Sequence, residues 1–416
     1  MPQKPVNQLV DHFFRNEFGK AVTLLTSKFG VQYLELAEDA VQEALSKAMQ
    51  KWGYGKIPDN PSGWIIRVAQ NKIIDHLRRQ QKVFYATQVP DQHYHQEMPA
   101  EEQFNDEMIK MMFACCNPKL SADYQIILTL KILGGLSIRE IASALLKKEE
   151  TIAKSYTRAK TQFKKENIRL ELPKAEAISD RLQMVLKTIY LLFNEGYKST
   201  EGEQLIRRDL CEEAMRLNQL LLENSSTNNE WTRSLMALMH FQVARFDSRV
   251  DEEGLAISLT DQDRSKWDQR HITFGNRYLT TIDNGIKNTY FIQAAISGIH
   301  CAANTWEDTN WKYILMLYNH LYTLRPNPVV ALNRVYPFAM VHGAEAAITE
   351  LNKLNSEPSL KSNHLLAATE AELYQRIGDL PKAKAFTEKA IELAKNEKDK
   401  AFLSQKLEQI KKAMIQ

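Results

Sequence analysis

Apolar residues recur at helical spacing almost from the start of the chain. Leu9, Phe13, Phe14 and Phe18 form one stripe, continued by Ala21, Leu24 and Leu25, and this period predicts an amphipathic helix. Leu34 to Trp52 predicts a second helix, ended by Gly53 and Gly55, with Pro58 and Pro61 in the loop after it. Ser62 then reads as the N-cap of a long helix running to about Gln81. Residues 6–82 together read as a compact helical domain. Residues 83–104 lose the pattern: Pro90 and Pro99 interrupt them, and the stretch Asp91 to Glu107 carries six acids and no Lys or Arg. They read as a flexible acidic linker. Helical spacing returns over residues 105–172 and continues through 173–416, so the expected fold class is all-α.

Within the second helical unit, Asp123 to Leu133 is apolar at helical spacing and Gly134-Gly135 breaks it. Leu136 to Ala142 follows, with Ser137 as N-cap and Glu140 three residues on, which is a capping box. After a short turn from Leu146 to Lys148, Glu149 to Lys160 predicts another helix, completing helix-turn-helix spacing. Ile141, Leu145 and Ile152 would share its core, and the small Ala142 would sit where the helices cross. From Lys147 to Lys165 seven Lys/Arg stand against Glu149 and Glu150, a net +5. A helix entering the major groove needs polar, reaching side chains on one face and cations for the backbone. Ala153, Lys154, Thr157 and Arg158 share an exposed face with Thr151 and Ser155 near it. Lys147, Lys148 and Lys160 are placed for phosphates. An ordinary solvated surface helix is the plainer reading of the same residues.

In the first unit, the stretch Ala37 to Ala44 is acidic on one face. Ser62 to Lys82 carries five Lys/Arg against one Asp, net +4, on a helix that begins near Trp64. Complementary packing within a bundle explains both. A binding reading gives them different partners: Asp39, Gln42 and Glu43 a basic protein surface, and Trp64, Arg67, Asn71, Asp75, Arg78 and Arg79 a nucleic acid. An aromatic ring beside cations suits a strand with unstacked bases.

Toward the C-terminus, Ala371, Tyr374, Gly378, Ala383, Phe386 and Ala390 follow tetratricopeptide spacing, with Gly378 and Asp379 at the turn. One such unit needs helical neighbours to bury its faces. Asp261, Asp263 and Asp268 form an acidic cluster that a metal site or an acid–base pair would require, but a capped helix start with Trp267 packing inward is favoured. Cys115 and Cys116 read as buried small hydrophobes rather than redox sensors. No Cys/His set has zinc spacing, and no nucleophile motif or phosphate loop emerges. An enzyme is not expected, and neither a metal nor a cofactor.

Composition adds exclusions. The net charge of +3 rules out a generally basic coat for nucleic acid. The first ten residues lack a signal-peptide design and no stretch approaches 18 uninterrupted apolar residues, so export and membrane spanning are not expected. Four cysteines are too few for a disulfide framework, which points to a cytoplasmic protein.

The two front units together resemble the extracytoplasmic-function (group IV) sigma factors of bacterial RNA polymerase. Asp39-Ala-Val-Gln42-Glu43 is similar to the stretch that docks on the polymerase clamp helices. Pro61-Ser-Gly-Trp64 through Arg79 is similar to the helix that melts and reads the −10 element. Leu136 to Lys164 is similar to the −35 reader, and the acidic linker to the segment threading toward the RNA exit path. Phe113 to Leu120 with Gly134-Gly135-Leu136, Leu192 to Tyr197, Asp261 to Asp268 and Asn327 to Arg334 resemble a subgroup with a tetratricopeptide-like C-terminal extension. The chain departs from these patterns at Asn117, Glu150 and Ala153. The resemblance implies region 2 over 6–82, region 4 over 105–172 and the extension over 173–416. It also implies core RNA polymerase and promoter DNA as partners, with a protein partner for the repeats. Two other readings stay open: a stand-alone helix-turn-helix regulator with a sensing repeat domain, and a catalytic C-terminal half resting on the Asp261 cluster.

Overall fold

The computed structural model describes residues 6–52, 57–84, 101–145, 147–198, 206–252, 254–283, 287–357, 359–361, 363–394 and 397–415. Most of the segment expected as an acidic linker, 85–100, lies outside them. Among the described residues the chain is all-α, with one isolated antiparallel bridge between Val250 and Ala256. It divides into two compact units: residues up to Gly196 with Arg208–Asn228, and Tyr197–Arg207 with Asn229 onward.

The front unit opens with α1 (Val6–Phe29), α2 (Leu34–Trp52) and α3 (Pro61–Phe84). Their apolar stripes meet: Ala21, Val22 and Leu25 of α1, Ala37, Val41 and Ala44 of α2, and Ile65, Ala69 and Ile73 of α3 are all fully buried. The start of α3 differs from the expectation. Pro61 is its first residue, not a loop residue, and Asn60 rather than Ser62 caps it, accepting from the Gly63 N–H at 2.8 Å. Proline suits this position because its missing N–H would have no helical partner.

Next come α4 (Glu101–Cys115), α5 (Ala122–Ile132), α6 (Ile138–Ala144) and α7 (Glu149–Lys165). The capping box on α6 is present: Ser137 Oγ accepts from the Glu140 N–H at 3.1 Å, and the Glu140 carboxylate accepts from the Ser137 N–H at 2.7 Å. Ile141, Ala142 and Ile152 are buried between the last two helices, whereas Leu145, expected in the same core, caps the end of α6 and is only half-buried. Gly19 is where α1 meets the end of α5. A Cβ there would stand 2.8 Å from the Ile132 carbonyl oxygen, so only glycine allows the approach.

The front unit does not end near residue 173. It includes α8 (Ala175–Tyr197) up to Gly196 and α9 (Arg208–Glu223). Arg181 of α8 donates to the Phe113 carbonyl and lies over the Phe113 ring. Leu192 closes over Gly134, where an added Cβ would meet its Cδ1 at 3.1 Å. These are tertiary contacts between distant residues, invisible to local periodicity. Cys115, Cys116 and Cys211 are buried here. Burial pushes the thiol of Cys115 far up and that of Cys116 to about 11.

The second unit comprises α10 (Glu230–Val243), α11 (Gln269–Leu279), α12 (Thr289–Ala302), α13 (Trp311–Leu324), α14 (Pro328–His342), α15 (Ala344–Asn352), α16 (His364–Arg376), α17 (Leu380–Leu393) and α18 (Glu397–Ile415). Ala371, Ala383 and Ala390 are buried between α16 and α17, and the Tyr374 and Phe386 rings stack at 5.3 Å. Gly378 turns the hairpin at φ +78, a conformation that disfavours any side chain, and Asp379 caps α17. The Asp261 cluster resolves into separate small roles. Asp263 caps a 3-10 turn, Asp268 caps α11, and Trp267 packs inward with its neighbours.

Candidate nucleic-acid interface

Three helix faces of the front unit carry the residues singled out from the sequence. On α7, Ile152, Tyr156, Ala159 and Phe163 are buried, a spacing of three and four that commits one side of the helix to the core. The opposite side is left to solvent. Thr151, Ala153, Lys154, Thr157 and Arg158 are exposed there, and Ser155 is half-buried beside them. Lys148 stands exposed at the helix start, and Lys147 is exposed with its ammonium 2.5 Å from Asp123. Lys154 pairs with Glu150 at 2.6 Å. Such solvent-exposed pairs are worth little and yield readily to phosphate.

Lys160 departs from the expectation of a free phosphate contact. Its ammonium sits 3.0 Å from Glu35 and 3.1 Å from Glu38, both on α2. Burial works to lower its pKa, but the two carboxylates outweigh that and raise it. Beside it the Tyr156 hydroxyl donates to Glu38. Glu38 is therefore a structural residue that the sequence reading passed over. Its partners lie more than a hundred positions away, and no local signal marks them.

On α3, Ile65, Ala69 and Ile73 face the core, so Arg67, Asn71, Asp75, Arg78 and Arg79 emerge on the other side, all exposed. Trp64 is half-buried. Its ring leans on Trp52 at 5.5 Å, and the Lys51 ammonium lies 6.0 Å from its centroid. On α2, Asp39 and Gln42 are exposed one turn apart. Glu43 beside them is occupied: Lys47 binds it at 2.8 Å and Lys72 of α3 also pairs with it. These hydrogen-bonded ammoniums hold its carboxyl down at about 2. The faces thus alternate in sign, acidic on α2 and basic on α3 and α7.

Residues 17–83 match the family model for sigma-70 region 2, and residues 110–163 match that for sigma-70 region 4. The chain belongs to the sigma-70 family. Residues 181–282 of this sigma factor match a family of unknown function (DUF6596). The arrangement is consistent with an extracytoplasmic-function sigma factor carrying a C-terminal extension. An uncharacterized protein of Rhizobium meliloti (strain 1021) is 34% identical over 391 residues, covering 91% of this chain and 90% of that protein. No solved structure matches the sigma factor. The region 2 match spans the α2 and α3 faces, and the region 4 match spans the outer face of α7. Within the front unit, the last helix of region 4 rests on the acidic helix of region 2 through Tyr156 and Lys160. Among the described residues, no helix is long and apolar enough to cross a membrane.

Proposed function

We propose that this sigma factor is of the extracytoplasmic-function type, working in the cytoplasm as a promoter-specificity subunit that binds and opens DNA and catalyses nothing. Asp39, Gln42 and Glu43 dock on core RNA polymerase. Trp64 and Asn71, with Arg67, Asp75, Arg78 and Arg79 along the same helix, capture the opened −10 strand, because stacking and cations together favour an unpaired strand. The outer face of α7, from Thr151 through Arg158, reads −35 duplex while Lys147 and Lys148 hold its phosphates; Lys160 joins them only when it leaves Glu38. The acidic segment between the regions threads toward the RNA exit path. The C-terminal helices form a tetratricopeptide-like platform that contacts a protein, adjusting assembly with polymerase.

One observation carries this reading. The matched region 2 places an exposed acidic face on α2 beside an exposed basic face on α3 that starts with Trp64. A stand-alone helix-turn-helix regulator needs neither. Run-off transcription with purified core polymerase, this chain and a genomic promoter library tests it. Promoter-specific transcripts are expected, and are lost when Asp39→Lys and Glu43→Lys are combined. Absence of transcripts together with retained duplex binding would sink the reading.

A further inference from the structure

The second unit holds a cleft of about 350 Å³ between α12, α13, α14, α16 and α18, lined by His300, Trp306, Trp311, Asn333, Tyr336 and Thr369 among others. That volume suits a small organic molecule. Trp306 and Trp311 meet edge to face at 4.5 Å, and Tyr336 closes on them at 5.7 Å and 5.9 Å. His300 continues the surface, nearly parallel to Trp306 at 16°. The Arg264 guanidinium fixes the corner behind them, donating to the carbonyls of His300 at 2.6 Å and Ala303 at 2.7 Å.

This geometry decides between guests. A cage for a cation surrounds it with rings, each centroid within about 6 Å of the charge. Here the rings touch one another, so they form a wall with no central gap. The carboxylate in the lining, Glu372, is already held by Arg376 and Lys406, each at 3.3 Å. That carboxylate is already paired with two cations, so desolvating a cationic guest beside it would go unrewarded.

The wall nevertheless has unmet polar demands. Trp311 Nε1 and His300 Nδ1 lack hydrogen-bond partners, although these side chains are only 8% and 9% exposed. An indole N–H can only donate, so it wants an acceptor. Unpaired buried polar groups are uncommon and costly in a finished fold.

We propose that this cleft binds an uncharged, planar heteroaromatic molecule that lies on the Trp306–Trp311–Tyr336 wall, accepts from the Trp311 N–H and hydrogen-bonds to His300. The site stands independently of promoter recognition, so its test does not need polymerase.

Isothermal titration of the full chain with three probes tests it. Quinolin-4(1H)-one has a ring carbonyl and an N–H, naphthalene has the same outline with neither, and benzyltrimethylammonium is a cation. Saturable one-site binding of the quinolinone is expected, with naphthalene weaker and the ammonium inert. Trp311→Phe keeps the ring and removes the donor; it should weaken the quinolinone roughly five- to tenfold, the worth of one buried neutral hydrogen bond, and leave naphthalene unchanged. Thr369→Trp, which fills the cleft from α16 without altering the aromatic wall, should abolish binding of both. Failure of the quinolinone to bind saturably, tighter binding of the cation, or affinity unchanged in Thr369→Trp would each overturn the proposal.

Discussion

The Tyr156 hydroxyl of α7 donates to the buried carboxylate of Glu38 on α2, 118 residues earlier in the chain. The second carboxylate oxygen takes the Lys160 ammonium at 3.1 Å. Burial and the adjoining carboxylate push the Tyr156 phenol far up, so it stays a donor at every physiological pH. Removing either partner leaves Glu38 undersatisfied in a dry site. Tyr156→Phe should cost about 1–3 kcal/mol, the usual penalty for a stranded buried polar group. A double-mutant cycle of Tyr156→Phe with Glu38→Leu, which removes the acceptor, read by urea denaturation, should show coupling of about 1 kcal/mol or more. Coupling near zero would mean the two side chains do not meet in solution.

Gly19→Ala tests the approach of α1 to the end of α5. The added Cβ would stand 2.8 Å and 3.0 Å from the carbonyl oxygens of Ile132 and Leu133. Backbone cannot swing aside as a side chain can, so helix propensity, which favours Ala, loses to overpacking. A loss of roughly 1–3 kcal/mol is expected, measured as a lower Tm. A gain in stability would show that the helices are not in contact there.

Two truncations separate the boundary seen in the structure from the one expected at residue 173. Ending the chain after Lys174 removes α8 and α9, exposing the surfaces that Arg181 and Leu192 cover. Ending it after Asn228 keeps them. The longer fragment should unfold cooperatively and stay monomeric. The shorter one should bind a hydrophobic dye or aggregate. Light scattering and calorimetry decide, and equal behaviour of the two would contradict the division described.

The second unit should weaken in acid. His240 Nδ1 lies 2.9 Å from His271 Nδ1, and burial, then the neighbouring imidazole, pushes His240 down to about 4. Above pH 6.5 the residue is neutral whether folded or not, and its contribution is complete. As pH falls from 6.5 toward 4, the unfolded chain takes a proton that the folded chain refuses, and stability drops. The loss approaches about 3 kcal/mol at pH 4 if His240 acts alone. His240→Asn, which keeps a polar atom for His271, should flatten this slope in urea titrations. An unchanged slope would assign the acid sensitivity elsewhere.

What could be seen in advance follows the range of each interaction. The bounds of α2 and the Ser137–Glu140 box depend on neighbours within one turn, and the apolar period with the cap chemistry marks them. The hairpin around Gly378 is legible for the same reason. The outer faces of α3 and α7 follow once the buried stripe is known. The cap on α3 lies at Asn60, two residues before the expected Ser62, because Pro61 serves equally as a loop residue and as a first helical residue. Glu38 and the cleft around Trp311 stayed hidden because their partners come from elements far apart in the chain. Nothing in the spacing of His300, Trp311 and Tyr336 shows that they converge.

The three buried cysteines of the front unit double as a built-in clock. Only a thiolate attacks alkylating reagents, and burial raises Cys116 to about 11 and Cys115 well above its ordinary value. A reagent such as iodoacetamide therefore waits for this unit to breathe before it reacts with them. Cys301 of the second unit is only half-buried, so its labelling does not depend on opening. The pace at which the peptides carrying Cys115, Cys116 and Cys211 gain mass thus reveals how often the front unit opens, with no engineered probe.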